Sequence, residues 1–330
     1  MSKATSPESI PLVIKIALTT GGQLPPPTEP GPHHSLLGLG LVAMSAFAFS
    51  LMSAAIKYES SYMLSMETLF WRSLITGGFI LISILATRTS LYVSRDMVPL
   101  VAYRSVSGFF VMALSYWTMS QMVLADASCI IFTSPVMTFL MGALVLGEHI
   151  KPVDFGLAIS CFGGVVFVAR PAFLFGEADS PVAHGSKYAV LGGLAAAAFQ
   201  ASSYVVIRRL KSVHYLVVIF YFMLLSIVVS AIWIVVVEGV RGFQASMSTA
   251  VWWACVGSGF FGFIGQLCVT KGFQLEHAGI ASVMRYLDIV FVFIWDSTFL
   301  REHISVWSFV GAAIIFSCAI AITIRKANAA

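Results

Sequence analysis

The sequence predicts an all-α membrane protein whose ten transmembrane helices form two inverted five-helix repeats. Three observations carry that prediction. Hydrophobic residues make up 58% of the 330-residue chain and charged residues 10%, against about 25% charged in soluble domains, and the mean hydropathy is +0.91. The apolar residues fall in long continuous runs, not in the alternating pattern of a membrane β-barrel. The chain also resembles itself at a shift of 154 residues. So apolar a composition excludes a water-soluble globular enzyme and, except locally, a disordered chain.

Residues 1–34 read as a disordered cytoplasmic tail. Gly21-Gly22 and the proline-rich run from Leu24 to Pro32 cannot continue a helix, and Ile10 to Leu18 is too short to span and contains Lys15. No cleavable signal peptide is evident, so the first span is expected to serve as the insertion signal. A helix crossing about 30 Å of hydrocarbon takes about 20 apolar residues. On that measure ten spans lie at 35–56, 64–86, 97–119, 123–146, 153–170, 187–207, 213–237, 249–271, 278–300 and 304–324. The longest connections are 87–96, 171–186 and 238–248, and the second holds Pro171, Gly176, Pro181 and Gly185, all loop residues. Pro152 suits the first turn of the fifth span. Glu148 and Glu302 follow helix C-termini, where an acid opposes the helix dipole, so each is expected to cap the start of the next helix.

Orientation follows from loop lysines and arginines. With the N-terminus inside, Lys3, Lys15, Arg88, Arg95, Lys151, Arg208, Arg209, Lys211, Lys271, Arg325 and Lys326 face the cytoplasm, and Lys57, Arg170, Lys187, Arg241 and Arg301 face outward. That imbalance places both termini in the cytoplasm, and Arg208-Arg209-Lys211 reads as the strongest topology anchor. The membrane itself, plasma membrane or endomembrane, is left open.

The repeat is carried by Leu146-Gly147-Glu148-His149-Ile150 and Leu300-Arg301-Glu302-His303-Ile304, by Ala127-Ser128 and Ala281-Ser282, and by Val136 with Val290 and Phe139 with Phe293. Ser107-Gly108-Phe109-Phe110 returns as Ser258-Gly259-Phe260-Phe261 at a slightly different shift. The halves, 35–170 and 187–324, hold five spans each. An odd number inverts the second half, and inverted repeats are the mark of secondary transporters with a midplane site.

The segments Leu124-Ala125-Asp126-Ala127, Thr133-Ser134-Pro135-Val136, Arg170 to Gly176, Gly265-Gln266, Thr270-Lys271 and Met284-Arg285-Tyr286-Leu287-Asp288-Ile289-Val290-Phe291 extend this reading. Through them the chain resembles the drug/metabolite transporter superfamily, whose members carry two EamA-type repeats, and more closely the G branch of solute carrier family 35. The resemblance covers nearly everything after residue 35. It implies a ten-helix alternating-access carrier without ATP hydrolysis, with organic anions such as citrate as cargo. Two departures stand out: Arg285 replaces a lysine of relatives, and Ile289 stands where the first half has Pro135, so the halves are not expected to bend alike.

Three arginines, Arg72, Arg104 and Arg285, fall inside spans, each roughly 10–12 Å deep at ~1.5 Å rise per residue. A charge at membrane depth costs about 2.5–3.5 kcal/mol even on the lenient scale. Asp288, three residues after Arg285, shares its helix face and can pair with it. Arg72 and Arg104 then lack central partners, which a bound anion would supply through the planar guanidinium fork. Glu67 and Asp126 lie near outer span ends and Asp296 near the far end of the ninth. Gln200, Tyr204 and Gln266 are polar groups within spans, suited to cargo oxygens or to helix–helix bonds; Lys271 sits at the inner mouth. These eight residues, Arg72, Arg104, Gln200, Tyr204, Gln266, Lys271, Arg285 and Asp288, are the substrate-binding candidates. The bland alternatives are snorkelling or a structural Arg72–Glu67 pair. Pro135 marks a hinge or an ordinary kink. Gly192-Gly193 and Gly257, Gly259, Gly262 and Gly265 are expected to let helices approach closely.

The five cysteines, Cys129, Cys161, Cys255, Cys268 and Cys318, all lie in apolar runs with no zinc-ligand spacing, and are read as small core residues. No metal or other cofactor is called for. There is no H-E-x-x-H or G-x-S-x-G motif, so an enzyme is not expected. A net charge of +4 spread over loop edges does not suggest nucleic acid. The expected partners are the lipid bilayer and a small-molecule substrate, an organic anion of the di- or tricarboxylate type. A nucleotide-sugar or phosphorylated-metabolite antiporter, and a non-transporting membrane partner protein, stay open as alternatives, as do a coupling proton or counter-anion and a homodimer.

Overall fold

A computed structural model describes residues 32–121, 124–148, 151–169, 187–238, 248–299 and 306–328. Expectations for residues 1–31, Arg170 and Glu302, and for the side chains of Asp126 and Asp296, lie outside the described residues. The helices are α1 (Pro32–Glu59), α2 (Ser65–Thr87), α3 (Val98–Gln121), α4 (Leu124–Ile131), α5 (Ser134–Leu146), α6 (Pro152–Ala169), α7 (Lys187–Arg209), α8 (Tyr215–Trp233), α9 (Thr249–Leu275), α10 (Ala278–Met284), α11 (Leu287–Phe299) and α12 (Val306–Asn328). Among the described residues, nine stretches are long and apolar enough to cross a membrane, one of them formed jointly by α4 and α5. The expected ninth span falls into α10 and α11, neither long enough alone.

Local chemistry sets several ends. The α5 helix stops at Gly147, whose φ of 68° is the left-handed cap conformation glycine adopts at no steric cost; the Gly147 and Glu148 amides turn back to Ala143 and Gly142 carbonyls. Ser248 caps α9 by accepting from the Val251 amide at 3.4 Å. Proline begins α6 as expected.

The helix pairing exchanges the two halves. The first span, α1, packs along α9, the eighth, and α3, the third, packs along α7, the sixth. These two pairings are one and the same once the halves are swapped. Likewise α2 meets α8 and α6 meets α12, each a pair of repeat-equivalent helices, and α5, the second part of the fourth span, meets α10, the first part of the ninth. Close crossings rest on glycine: a Cβ at Gly193 would lie 2.8 Å from Ile130, one at Gly265 2.7 Å from the Phe49 ring, and one at Gly192 or Gly259 would overlap Trp117 or Ile75. Gly257 is a correction, because its Cβ direction meets open space. Apolar side chains such as Leu144, 86% exposed, cover the outer surface, the arrangement a lipid solvent requires. The most enclosed span is the one formed by α7.

The halves do bend alike, against expectation. The fourth span breaks between α4 and α5, where the Thr133 amide bonds the Ile130 carbonyl at 3.1 Å and Pro135 heads α5. The ninth breaks between α10 and α11 at the corresponding place with no proline. There the amides of Arg285, Tyr286 and Asp288 each bond the carbonyl three residues back, at 3.1 Å, a tightened turn that interrupts the α-helical ladder. The two breaks face one another: the Ser282 hydroxyl donates to the Pro135 carbonyl at 3.1 Å, and the rings of Phe132 and Tyr286 lie 6.4 Å apart.

Candidate functional site

The broken ninth span delivers Arg285 to the centre of the molecule. One guanidinium nitrogen donates to Asp288 Oδ2 at 2.8 Å, the other reaches Ser45 Oγ at 3.5 Å, and the group lies 4.8 Å from the centre of the Phe49 ring. Phe49 fits there because residue 265 is glycine. Asp288 is buried, and its Oδ1 has no partner.

Arg104 approaches from α3. It is 6% exposed, and its guanidinium lies 4.5 Å from the centre of the Phe222 ring. Gly108, one turn further along, leaves the space that guanidinium occupies. Among the described residues no carboxylate pairs with Arg104, and its Nε is buried without a partner. Tyr204 on α7 joins the two arginines: its phenol lies close enough for electrostatic contact with both, and its ring stacks on Phe273 of α9 with centroids 4.0 Å apart. The Ser107 and Ser203 hydroxyls, 2.7 Å apart, tie α3 to α7 beside it. On α9, Gln266 follows the glycine that seats Phe49, and its Oε1 is buried without a partner.

The centre thus holds two guanidinium groups against one carboxylate, with π faces behind both cations. A buried unpaired charge costs several kcal/mol, so the place is set for an anion that brings its own oxygens.

The other candidates lie apart. Arg72 lies apart from this pair: it donates to Met52 Sδ at 3.4 Å and to Met112 Sδ at 2.7 Å, and Met112 is eight residues, or roughly 12 Å of helix, along α3 from Arg104. It does not pair with Glu67. Gln200, partly exposed, lies one turn before Tyr204. Lys271 stands over the Tyr215 ring at 5.5 Å, near the start of α8, and does not join the central group.

A second polar group was not anticipated. Glu148 does not cap the fifth span. It crosses to the other half, accepting from the Ala278 amide at 3.2 Å and lying 3.3 Å from His277 Nδ1 and 3.5 Å from Arg208 Nε. Arg208, read as a loop anchor, is 1% exposed and donates to the Gln274 carbonyl at 2.8 Å; Arg209 donates to the Val145 carbonyl at 2.7 Å. Arg325 pairs with Asp154. Burial alone would raise the Glu148 carboxyl, but His277, the Ala278 amide and Arg208 together hold it below the usual carboxylate range. These contacts tie together the ends of α5, α7, α9 and α12. The signal in the sequence is the repeated Leu-x-Glu-His-Ile motif, whose first acid bonds the other half and not the next helix of its own.

A sequence model of the EamA-like transporter family matches residues 36–170 and 187–324. The chain is 30% identical over 294 residues to human solute carrier family 35 member G1, covering 88% of this chain and 80% of that one. It is also 30% identical over 292 residues to the pseudopaline exporter CntI of Pseudomonas aeruginosa, covering 88% and 96%. A solved crystal structure has the same fold, with a TM-score of 0.74 at 17% identity over 88% of this chain and 97% of the other.

Proposed function

Because the chain belongs to the EamA-like transporter family, and is thereby a multi-pass membrane transporter of the drug/metabolite superfamily, we propose that it moves a small organic anion, a di- or tricarboxylate such as citrate, by alternating access. The observation that carries this reading is Arg104: a buried guanidinium with no carboxylate, beside a second guanidinium and a shared tyrosine. In this reading Arg104 and Arg285 each take one carboxylate of the cargo as a planar fork. Asp288 holds Arg285 in place while the site is empty, and its grip loosens as cargo enters. Tyr204 and Gln266 bond cargo oxygens, Gln200 lies beside the route, and Arg72 and Lys271 guide the anion in from the two mouths.

Alternating access then needs two faces that open in turn. The Glu148 network ties the halves at the face taken here as cytoplasmic, which supports a state closed inward. The two facing breaks, at Phe132-Thr133 and Arg285-Tyr286, are where the α-helical ladder is already interrupted and bending is cheapest. The solute crosses chemically unchanged. The relative named for pseudopaline export supports a carrier of small solutes.

The test is flux in proteoliposomes containing only this protein. Radiolabelled citrate is expected to accumulate against an unlabelled citrate load, and Arg104→Ala and Arg285→Ala are each expected to lose that exchange while inserting normally. Full exchange by both variants would overturn the anion reading. Preferential exchange of a sugar phosphate would move the assignment to phosphorylated metabolites.

A further inference from the structure

We propose that Glu59, at the outer end of α1, is a proton-binding site whose loading state decides whether Arg72 faces a carboxylate or stays available to an anion. Glu59 has no solvent exposure, and neither carboxyl oxygen has a hydrogen-bond partner. An ionised carboxylate buried in that way has no hydrogen bond to replace its lost hydration, whereas a neutral carboxyl is far less costly to bury. Its neighbours fit the same reading. Ser258 of α9 lies beside it, with its hydroxyl donating to the Cys255 carbonyl at 3.1 Å.

Arg72 of α2 is the cation facing Glu59, but its donors go to the sulfurs of Met52 and Met112, which are weak acceptors. Its Nε has none. The other titratable groups about Glu59 are Glu67 of α2, Cys255 of α9, which senses both acids, and Lys57 on α1 itself. Met63, Trp71, Val251 and Trp252 pack as an apolar cluster around Cys255. When the proton leaves for outer water, the carboxylate becomes the strongest partner in reach of Arg72. The guanidinium then leaves the methionines of α1 and α3 for Glu59. Proton release at Glu59 and capture of an anion at Arg72 become mutually exclusive, which couples proton and anion movement. The coupling rests on the transport reading above; proton binding does not.

Infrared difference spectroscopy across a pH titration of the purified protein, with no substrate present, tests the site directly. The wild type is expected to show the C=O stretch of a protonated carboxyl at neutral pH that disappears on alkaline titration, and Glu59→Gln to lack it. Should Glu59→Gln fail to fold, Glu59→Asp is expected to keep the band with a displaced midpoint. A band unaltered by either substitution, or no protonated carboxyl in the wild type at neutral pH, overturns the proposal. In proteoliposomes with an entrapped pH dye, a citrate gradient is expected to move protons through the wild type and not through Glu59→Gln. Proton movement persisting in Glu59→Gln overturns the coupling. An absence of citrate flux in the wild type counts against the transport reading and leaves the infrared result to decide Glu59.

Discussion

Replacing Gly108 by alanine perturbs the central site without touching a charge. The new Cβ would lie 2.7 Å and 3.1 Å from two carbons of the Phe222 ring and would overlap Nη1 of Arg104. Carbon contacts are most favourable at about 3.5–4.0 Å, so the guanidinium must leave its place over the ring. Overpacking of this kind costs about 1–3 kcal/mol, and a desolvated cation–π contact is worth about 2 kcal/mol. At 1.4 kcal/mol per factor of ten, a misplaced Arg104 weakens cargo binding by about 10- to 100-fold. The assay is the citrate concentration dependence of exchange in proteoliposomes, with Gly78→Ala as control, since a Cβ at Gly78 meets open space. An increase in KM for Gly108→Ala alone is expected. A wild-type KM in Gly108→Ala would refute the claim that Arg104 must stand on Phe222 to receive the anion.

Other outcomes follow from the same geometry. Tyr204→Phe keeps the stack on Phe273 but removes the hydroxyl between the two arginines, so citrate affinity should fall by about one order of magnitude, the worth of a hydrogen bond to a charged group, with little change in thermal stability. Glu148→Gln leaves buried Arg208 with Glu276 as its remaining neighbouring carboxylate and should destabilise the protein by about 1–3 kcal/mol, read as a lowered midpoint in thermal unfolding. The Glu148 carboxyl is held below its ordinary value of 4.5, so its contribution is complete above that pH and is lost as pH falls through the lower folded value. Wild-type stability should therefore drop below about pH 4.5 more steeply than that of Glu148→Gln; parallel acid profiles would count against the network.

The helices were legible because hydropathy is summed over some twenty residues, and a span survives small errors at its ends. The interruption of the fourth span was legible in Pro135. That of the ninth was not, because Arg285-Tyr286 carries no helix breaker, and its turn is accompanied by a contact across the halves, the Ser282 to Pro135 bond, as well as by the local Arg285–Asp288 pair. Arg104 and Arg285 could be singled out since a charge inside an apolar run is conspicuous. Their supports, Phe222, Phe49 and Gly108, look like any other residues of apolar spans. Arg72 illustrates the converse: a sequence suggests carboxylate partners, and the structure supplies two methionine sulfurs. Glu148, Arg208 and His277 were missed as a group because they are far apart in the chain. Counting loop charges also ranks Arg208 by sign and position along the chain, without regard to depth.

Binding without flux tests the central claim most directly. A ligand that binds only the folded protein raises its unfolding midpoint, with a stabilisation that grows as the logarithm of its concentration relative to Kd. Citrate is expected to raise the midpoint of the purified wild type, and to leave that of Arg104→Ala and of Arg285→Ala where it stands without citrate. Equal stabilisation of all three proteins would contradict an anion held between the two buried arginines.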